Sequence, residues 1–131
     1  ISDHYKYVIT DNEAGMEHIS RKLTKHVDTL ILVSDCAKRS IQAVARIRDL
    51  AEEMNLSVGK IGLIVNKAPN GELSNGVKEE IEKYGLDLFG VVPSDELIYE
   101  YDSEGIPLVK LPDDSKSRVA LEKIIETLDL P

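Results

Sequence analysis

The chain is punctuated by short runs that are apolar at nearly every position, and this continuity restricts its fold more than any other feature. Thr29-Leu30-Ile31-Leu32-Val33 is one such run, Ile61 to Val65 a second, Leu86 to Val92 a third, and Tyr7-Val8-Ile9-Thr10 a shorter, β-rich one. A strand with one wet face alternates apolar and polar residues, whereas a strand buried on both faces does not. Between the runs the apolar residues fall at helical spacing: Met16, Ile19 and Leu23, then Ile41, Val44, Ala45, Ala51 and Met54. Arg48 is the one polar residue on that second stripe. Val77, Ile81 and Tyr84 mark a third helix, with Gly85 placed to end it. Leu97, Ile98 and Tyr101 suggest a short helix, and Pro93 stops the strand before it. A last helix follows the capping oxygens of Asp113-Asp114-Ser115, with Leu121, Ile124, Ile125 and Leu128 as its expected buried positions. Asn70-Gly71 and Asn75-Gly76 both predict positive-φ loop backbone. Strands alternating with helices predict an α/β fold, a mainly parallel sheet with helices on both faces. Residues 1–131 read as a single domain.

Charge and composition remove several classes of function. With 24 acidic against 16 basic residues the net charge is −8, which opposes binding to a phosphate backbone. The densest basic stretch, Arg21, Lys22, Lys25 and His26, is short and lacks interleaved aromatics, so no nucleic-acid partner is expected. No apolar run approaches the roughly 20 residues of a membrane span, and no membrane partner is expected. A single cysteine, Cys36, excludes an internal disulfide and any paired-cysteine metal motif within one chain. A cytoplasmic location is the expectation.

In a parallel α/β sheet, ligands bind beyond the carboxyl ends of the strands. Those ends are Asp11 to Gly15, Ser34 to Lys38, Asn66 to Ala68 and Pro93 to Glu96. In Asp11-Asn12-Glu13-Ala14-Gly15 a carboxylate at a strand tip is followed within a turn by glycine. Such a pair suits a Mg²⁺-nucleotide site, the carboxylate holding the metal or its water and the glycine admitting a phosphate to a backbone N–H. It equally suits a plain Asx turn with Asp11 or Asn12 as helix cap.

The segment Asp11-Asn12-Glu13-Ala14-Gly15-Met16-Glu17-His18-Ile19-Ser20-Arg21 resembles the switch segment of the CooC family, a branch of the MinD/ParA-like ATPases. CooC proteins mature nickel-containing carbon monoxide dehydrogenase. The likeness continues through Val33-Ser34-Asp35, Ile64-Val65-Asn66-Lys67 and Gly90-Val91-Val92-Pro93-Ser94-Asp95, and ends near Gly105-Ile106-Pro107-Leu108. It implies Asp11 as the carboxylate near Mg²⁺, directly or through water, and Gly15 as the glycine that senses the terminal phosphate. Asn66, with Lys67 beside it, would meet the adenine edge, since an amide offers both donor and acceptor. Pro93, Ser94 and Asp95 would line the adenine pocket, largely through backbone. Nickel would be held by residues upstream of this chain, and a homodimer and the nickel enzyme are the implied partners.

The superfamily's phosphate loop, G-x-x-x-x-G-K-[ST], is absent from the 131 residues. The only Gly-Lys pair, Gly59-Lys60, is followed by Ile61 and has Met54 where the first glycine is required. Phosphate binding needs several backbone N–H groups and a lysine. This edge offers Asp11, Glu13 and Asp35 instead. The expectation is therefore a partial P-loop NTPase fold, the C-terminal portion of an ATPase. It lacks the phosphate-loop strand, whose place between the strands ending at Asp11 and Ser34 leaves a gap of roughly 10 Å. ATP and Mg belong to the complete protein, and the fragment is expected to hold neither. A non-catalytic partner-binding module and a MinD/ParA-like positioning ATPase are the alternatives.

Overall fold

The computed structural model describes residues 26–54 and 57–128. In chain order these form β1 (His26–Ser34), α1 (Lys38–Glu53), β2 (Ser57–Ala68), a 3-10 turn (Pro69–Gly71) and α2 (Asn75–Lys83). Then come β3 (Leu88–Pro93), α3 (Glu96–Ser103), a second 3-10 turn (Leu108–Lys110) and α4 (Lys116–Leu128). The three strands are parallel and ordered β1-β2-β3. The sheet with helices on both faces is as the apolar runs predict. The fourth run, Tyr7–Thr10, and the stripe of Met16, Ile19 and Leu23 lie outside the described residues.

Each face of the sheet has its own core. Leu32, Leu63 and Val65 pack with Ile41, Val44 and Ala45 of α1 and Val77 and Ile81 of α2. Ile41, Leu63 and Val65 are fully buried there. On the opposite face Ile64 and Val92 pack with Ile124 and Leu128 of α4. Pairing in register from Leu32↔Leu63 to Ser34↔Val65 keeps β1 and β2 regular. Between β2 and β3 the register slips, Leu63↔Leu88 being followed by Ile64↔Gly90. That irregularity lets Phe89 join the α4 side, over Gly62.

Two expectations from the sequence fail for one reason. Ile31 and Val33 were expected inside a strand buried on both faces, yet they are 41% and 59% exposed. Leu121 and Ile125, expected in the core, are 43% and 47% exposed. Val33 pairs with Ile64 and so shares the face that α4 covers. The α4 flank bearing Val119, Ala120 and Lys123 lines a concavity of about 490 Å³ with Val91 of β3. Leu121 and Ile125 therefore lie on the other flank, towards β1, where no described element covers the sheet. A third expectation also fails. Asn75-Gly76 is not loop: Ser74 accepts a hydrogen bond from the Val77 N–H at 3.3 Å, and the helix starts at Asn75. Asn70 (φ 56°) and Gly71 (φ 72°) do take the left-handed backbone expected of them.

Polar groups on the stripes serve helix ends. The Arg48 guanidinium donates to the Tyr84 carbonyl, which closes α2, and to Asp49. Gly85 (φ 63°) follows, and the Leu86 N–H reaches back to the Ile81 carbonyl at 3.1 Å. Lys60 Nζ donates to the Leu128 carbonyl at 2.8 Å, placing a cation at the negative end of α4. Replacing Lys60 with methionine is expected to cost about 1 kcal/mol. The midpoint of urea unfolding, unchanged by the substitution, would refute that capping role.

Candidate nucleotide site at the carboxyl edge of the sheet

The parallel strands bring Ser34-Asp35, Asn66-Lys67 and Pro93-Ser94-Asp95 to one edge. At the end of β1, Ser34 is buried and its hydroxyl donates to the Asp35 carbonyl at 2.8 Å. Asp35 Oδ1 accepts the Ala37 N–H at 3.1 Å, an Asx turn that starts α1. Hydrogen bonds from Ser40 and from Ala37, with the charges of Lys67 and Arg39 behind them, hold the Asp35 carboxyl below its ordinary range. Cys36 Sγ points at the Asn66 carbonyl, 3.9 Å away. Burial first, then the Asp35 charge, raises the thiol's pKa, so Cys36 is not an activated thiolate.

β2 ends in strained backbone. Asn66 Oδ1 accepts the Lys67 N–H at 2.9 Å, and Lys67 itself sits at φ 59°. A lysine in the left-handed region costs free energy and is seldom found without a local demand. Two residues on, the chain enters the turn Pro69–Gly71, whose Gly71 lies beside Pro93. The Ser94 N–H then donates to the Ala68 carbonyl at 2.9 Å, fastening the loop after β3 to the end of β2. The Asn66 amide uses one acceptor position in this turn, and no described group takes its Nδ2 donors.

Asp95 is committed inward. Its Oδ1 accepts the Leu97 N–H at 3.0 Å, capping α3. Its Oδ2 accepts the Ser117 N–H at 3.2 Å, the Ser117 hydroxyl at 2.9 Å and the Ser115 hydroxyl. Ser115 and Ser117 are buried. One carboxylate thus caps two helices, and the Ser115 hydrogen bond is the main cause of its pKa falling to about 2. Sequence reasoning identified Ser115 as a capping residue for α4 but not this partner twenty positions away.

The structure gathers Asn66, Lys67, Pro93, Ser94 and Asp95, five of the residues expected at a site. Asp11, Glu13 and Gly15 lie outside the described residues. Gly59 and Lys60 lie within β2, far in sequence from any loop at this edge, which removes them from phosphate binding. Among the described residues, no three His, Cys, Asp or Glu side chains converge as a metal site.

No protein-family model matches the chain. It is 34% identical over 128 residues to an uncharacterized ATP-binding protein of Methanocaldococcus jannaschii, covering 98% of this chain and 50% of that protein. It is 31% identical over 99 residues to the carbon monoxide dehydrogenase accessory protein CooC of Rhodospirillum rubrum, covering 76% of this chain and 36% of that one. Among solved structures, the septum site-determining protein MinD of Pyrococcus horikoshii complexed with Mg-ADP superposes with a TM-score of 0.61 at 25% identity. That match covers 78% of this chain and 41% of MinD. With its parallel sheet, two helical layers and polar loops at the carboxyl edge, the chain has the fold of the MinD/ParA-like P-loop ATPases. It spans about half the length, or less, of the relatives it matches. Within that superfamily it is similar to CooC, to MinD and to archaeal ATP-binding proteins.

Proposed function

We propose that the chain is the C-terminal, base-recognising part of a cytoplasmic, CooC-type ATPase that couples nucleotide-driven dimerisation to nickel insertion into carbon monoxide dehydrogenase. The observation that carries this reading is the edge formed by Asn66, Lys67, Pro93 and Ser94. There a turn fixes the Asn66 side chain by its oxygen and leaves its two N–H donors for the edge of a base. The residues present fit adenine and do not fit a triphosphate. The described edge sets the Asp35 carboxylate beside the cations of Lys67 and Arg39, but the 131 residues carry no phosphate loop to supply converging backbone N–H groups. Asp11 is the residue assigned to Mg²⁺ and Gly15 the one assigned to the terminal phosphate, both from the switch likeness. Bound Mg-ATP would supply the phosphoryl group for hydrolysis. Asn66 would orient the base, and Pro93 and Ser94 would form the wall against which it lies.

The relationship to CooC supports the maturation role, and the Mg-ADP complex of MinD supports the nucleotide. Calorimetric titration of Mg-ATP into this chain is expected to give a Kd on the order of millimolar or weaker. A version extended upstream through a phosphate loop is expected to bind in the micromolar range, and Asn66→Ala to weaken that binding roughly tenfold. Tight binding by the 131-residue chain would refute the division of labour. No binding by either form would leave the non-catalytic, partner-binding module.

A further inference from the structure

α3 is a helix with no fully buried residue. Leu97, Ile98 and Tyr101 are half-buried, while Glu96, Tyr99, Glu100, Asp102 and Ser103 share its outward arc. Tyr99 stands in the middle of that arc, 76% exposed. Gly105 (φ 70°) then turns the chain, the Ile106 N–H meets the Tyr101 carbonyl at 2.8 Å, and the turn Leu108–Lys110 folds back against α3. Val109 is 86% exposed, with Ile106 and Leu108 at 39% and 43% beside it. Four large apolar side chains therefore project from one ordered segment that adds little to either core. An apolar patch rimmed by polar groups is the usual mark of an interaction surface.

Charge selects the occupant. Glu96, Glu100, Asp102 and Glu104 surround the patch against Lys110 alone. None of the four carboxylates forms an ion pair among the described residues. We propose that residues 96–110 form a docking ledge for a protein partner whose contact surface is basic around an apolar centre. Tyr99 and Val109 anchor it, and the carboxylates steer and orient it. Nucleic acid and anionic lipid carry the wrong charge. A second copy of this chain, itself at −8, would set the ledge against its like. The ledge follows directly on Asp95, so its partner sits beside the carboxyl edge of the sheet, and its binding is measured apart from nucleotide affinity.

The test is a titration of the whole chain, observed by ¹H–¹⁵N NMR, with a helical peptide of roughly five turns built from leucine and lysine. A leucine–glutamate peptide of the same pattern serves as control. The expected result is saturable binding with shifts centred on residues 96–110, weakened about tenfold by Tyr99→Ala and by Val109→Ser. Glu96→Gln with Glu100→Gln should weaken it several-fold, more at low salt than at high. The same charge change on α1, Glu52→Gln with Glu53→Gln, should leave affinity unchanged. All these side chains are exposed, and an unchanged thermal midpoint checks that each variant is folded. Equal losses in the two charge pairs would mean attraction to net charge alone and would overturn the proposal. So would shifts centred on Ile31 and Val33, equal binding of the acidic peptide, or self-association of the chain that Tyr99→Ala abolishes.

Discussion

Asp95→Ala is expected to destabilise the fold by roughly 3 kcal/mol, the largest effect of any polar substitution in the described residues. The loss has two sources. Four hydrogen bonds to a charged acceptor disappear, and the hydroxyls of Ser115 and Ser117 stay buried without that partner. Both α3 and α4 lose an N-terminal cap together, so amide exchange should quicken at residues 96–98 and 116–119 while β1 and α1 are unaffected. A cost below about 1 kcal/mol in urea unfolding would show that water replaces the carboxylate without penalty. The pH dependence follows from the lowered pKa. Because the folded carboxyl titrates at about 2 against an ordinary 3.8, its stabilisation is complete above the ordinary value. It is lost as pH falls through about 2. Asp95→Asn should flatten this part of the acid-unfolding profile, and a profile identical to the parent would rule the group out as its source.

Gly90→Val should cost a similar amount, about 3 kcal/mol, by a different route. A Cβ at Gly90 would lie 2.3 Å from Ile124 Cγ1 and 2.6 Å from Cδ1, closer than atoms tolerate. Ile124 is a core residue of the face that α4 covers, packed with Ile64 and Val92, and cannot swing clear without lifting the helix. The second substitution Ile124→Ala vacates that space, so the double variant should be more stable than the two single losses added together. Simple additivity in thermal or urea unfolding would mean that the glycine acts through backbone freedom and not through close approach.

Much of the fold was legible because its cause is local. Two of the four apolar runs fall inside β1 and β2 and a third overlaps β3, which starts two residues later than Leu86, and Gly85 and Asn70-Gly71 take the left-handed backbone their chemistry permits. Asn75-Gly76 misled because the same dipeptide fits a turn or the first turn of a helix. The oxygen of Ser74, one residue earlier, decides for the helix. Burial was misjudged where it depends on what lies overhead. Leu121 and Ile125 sit at helical spacing with Ile124 and Leu128, yet periodicity does not report how wide a stripe the sheet will cover. At the candidate site, Asn66, Pro93 and Ser94 were legible from their position after apolar runs. The role of Asp95 was not, since its partners Ser115 and Ser117 are distant in sequence and meet it only after α4 docks.

The bare strip beside α4 bears on how the molecule behaves in solution. A helix is about 10 Å across and strands lie about 4.8 Å apart, so one helix roofs two strands. On this face α4 roofs β2 and β3, and Ile31 and Val33 of β1 stand in the open next to Leu121 and Ile125. Among the described residues β1 pairs on one side only, with β2, and its run carries no bulge, proline or lysine. Among the described residues, exposed apolar side chains and a strand edge without a described partner thus coincide at one margin, where the chain's strong negative charge opposes association. Salt, by screening that repulsion, would act on this protein chiefly as a precipitant.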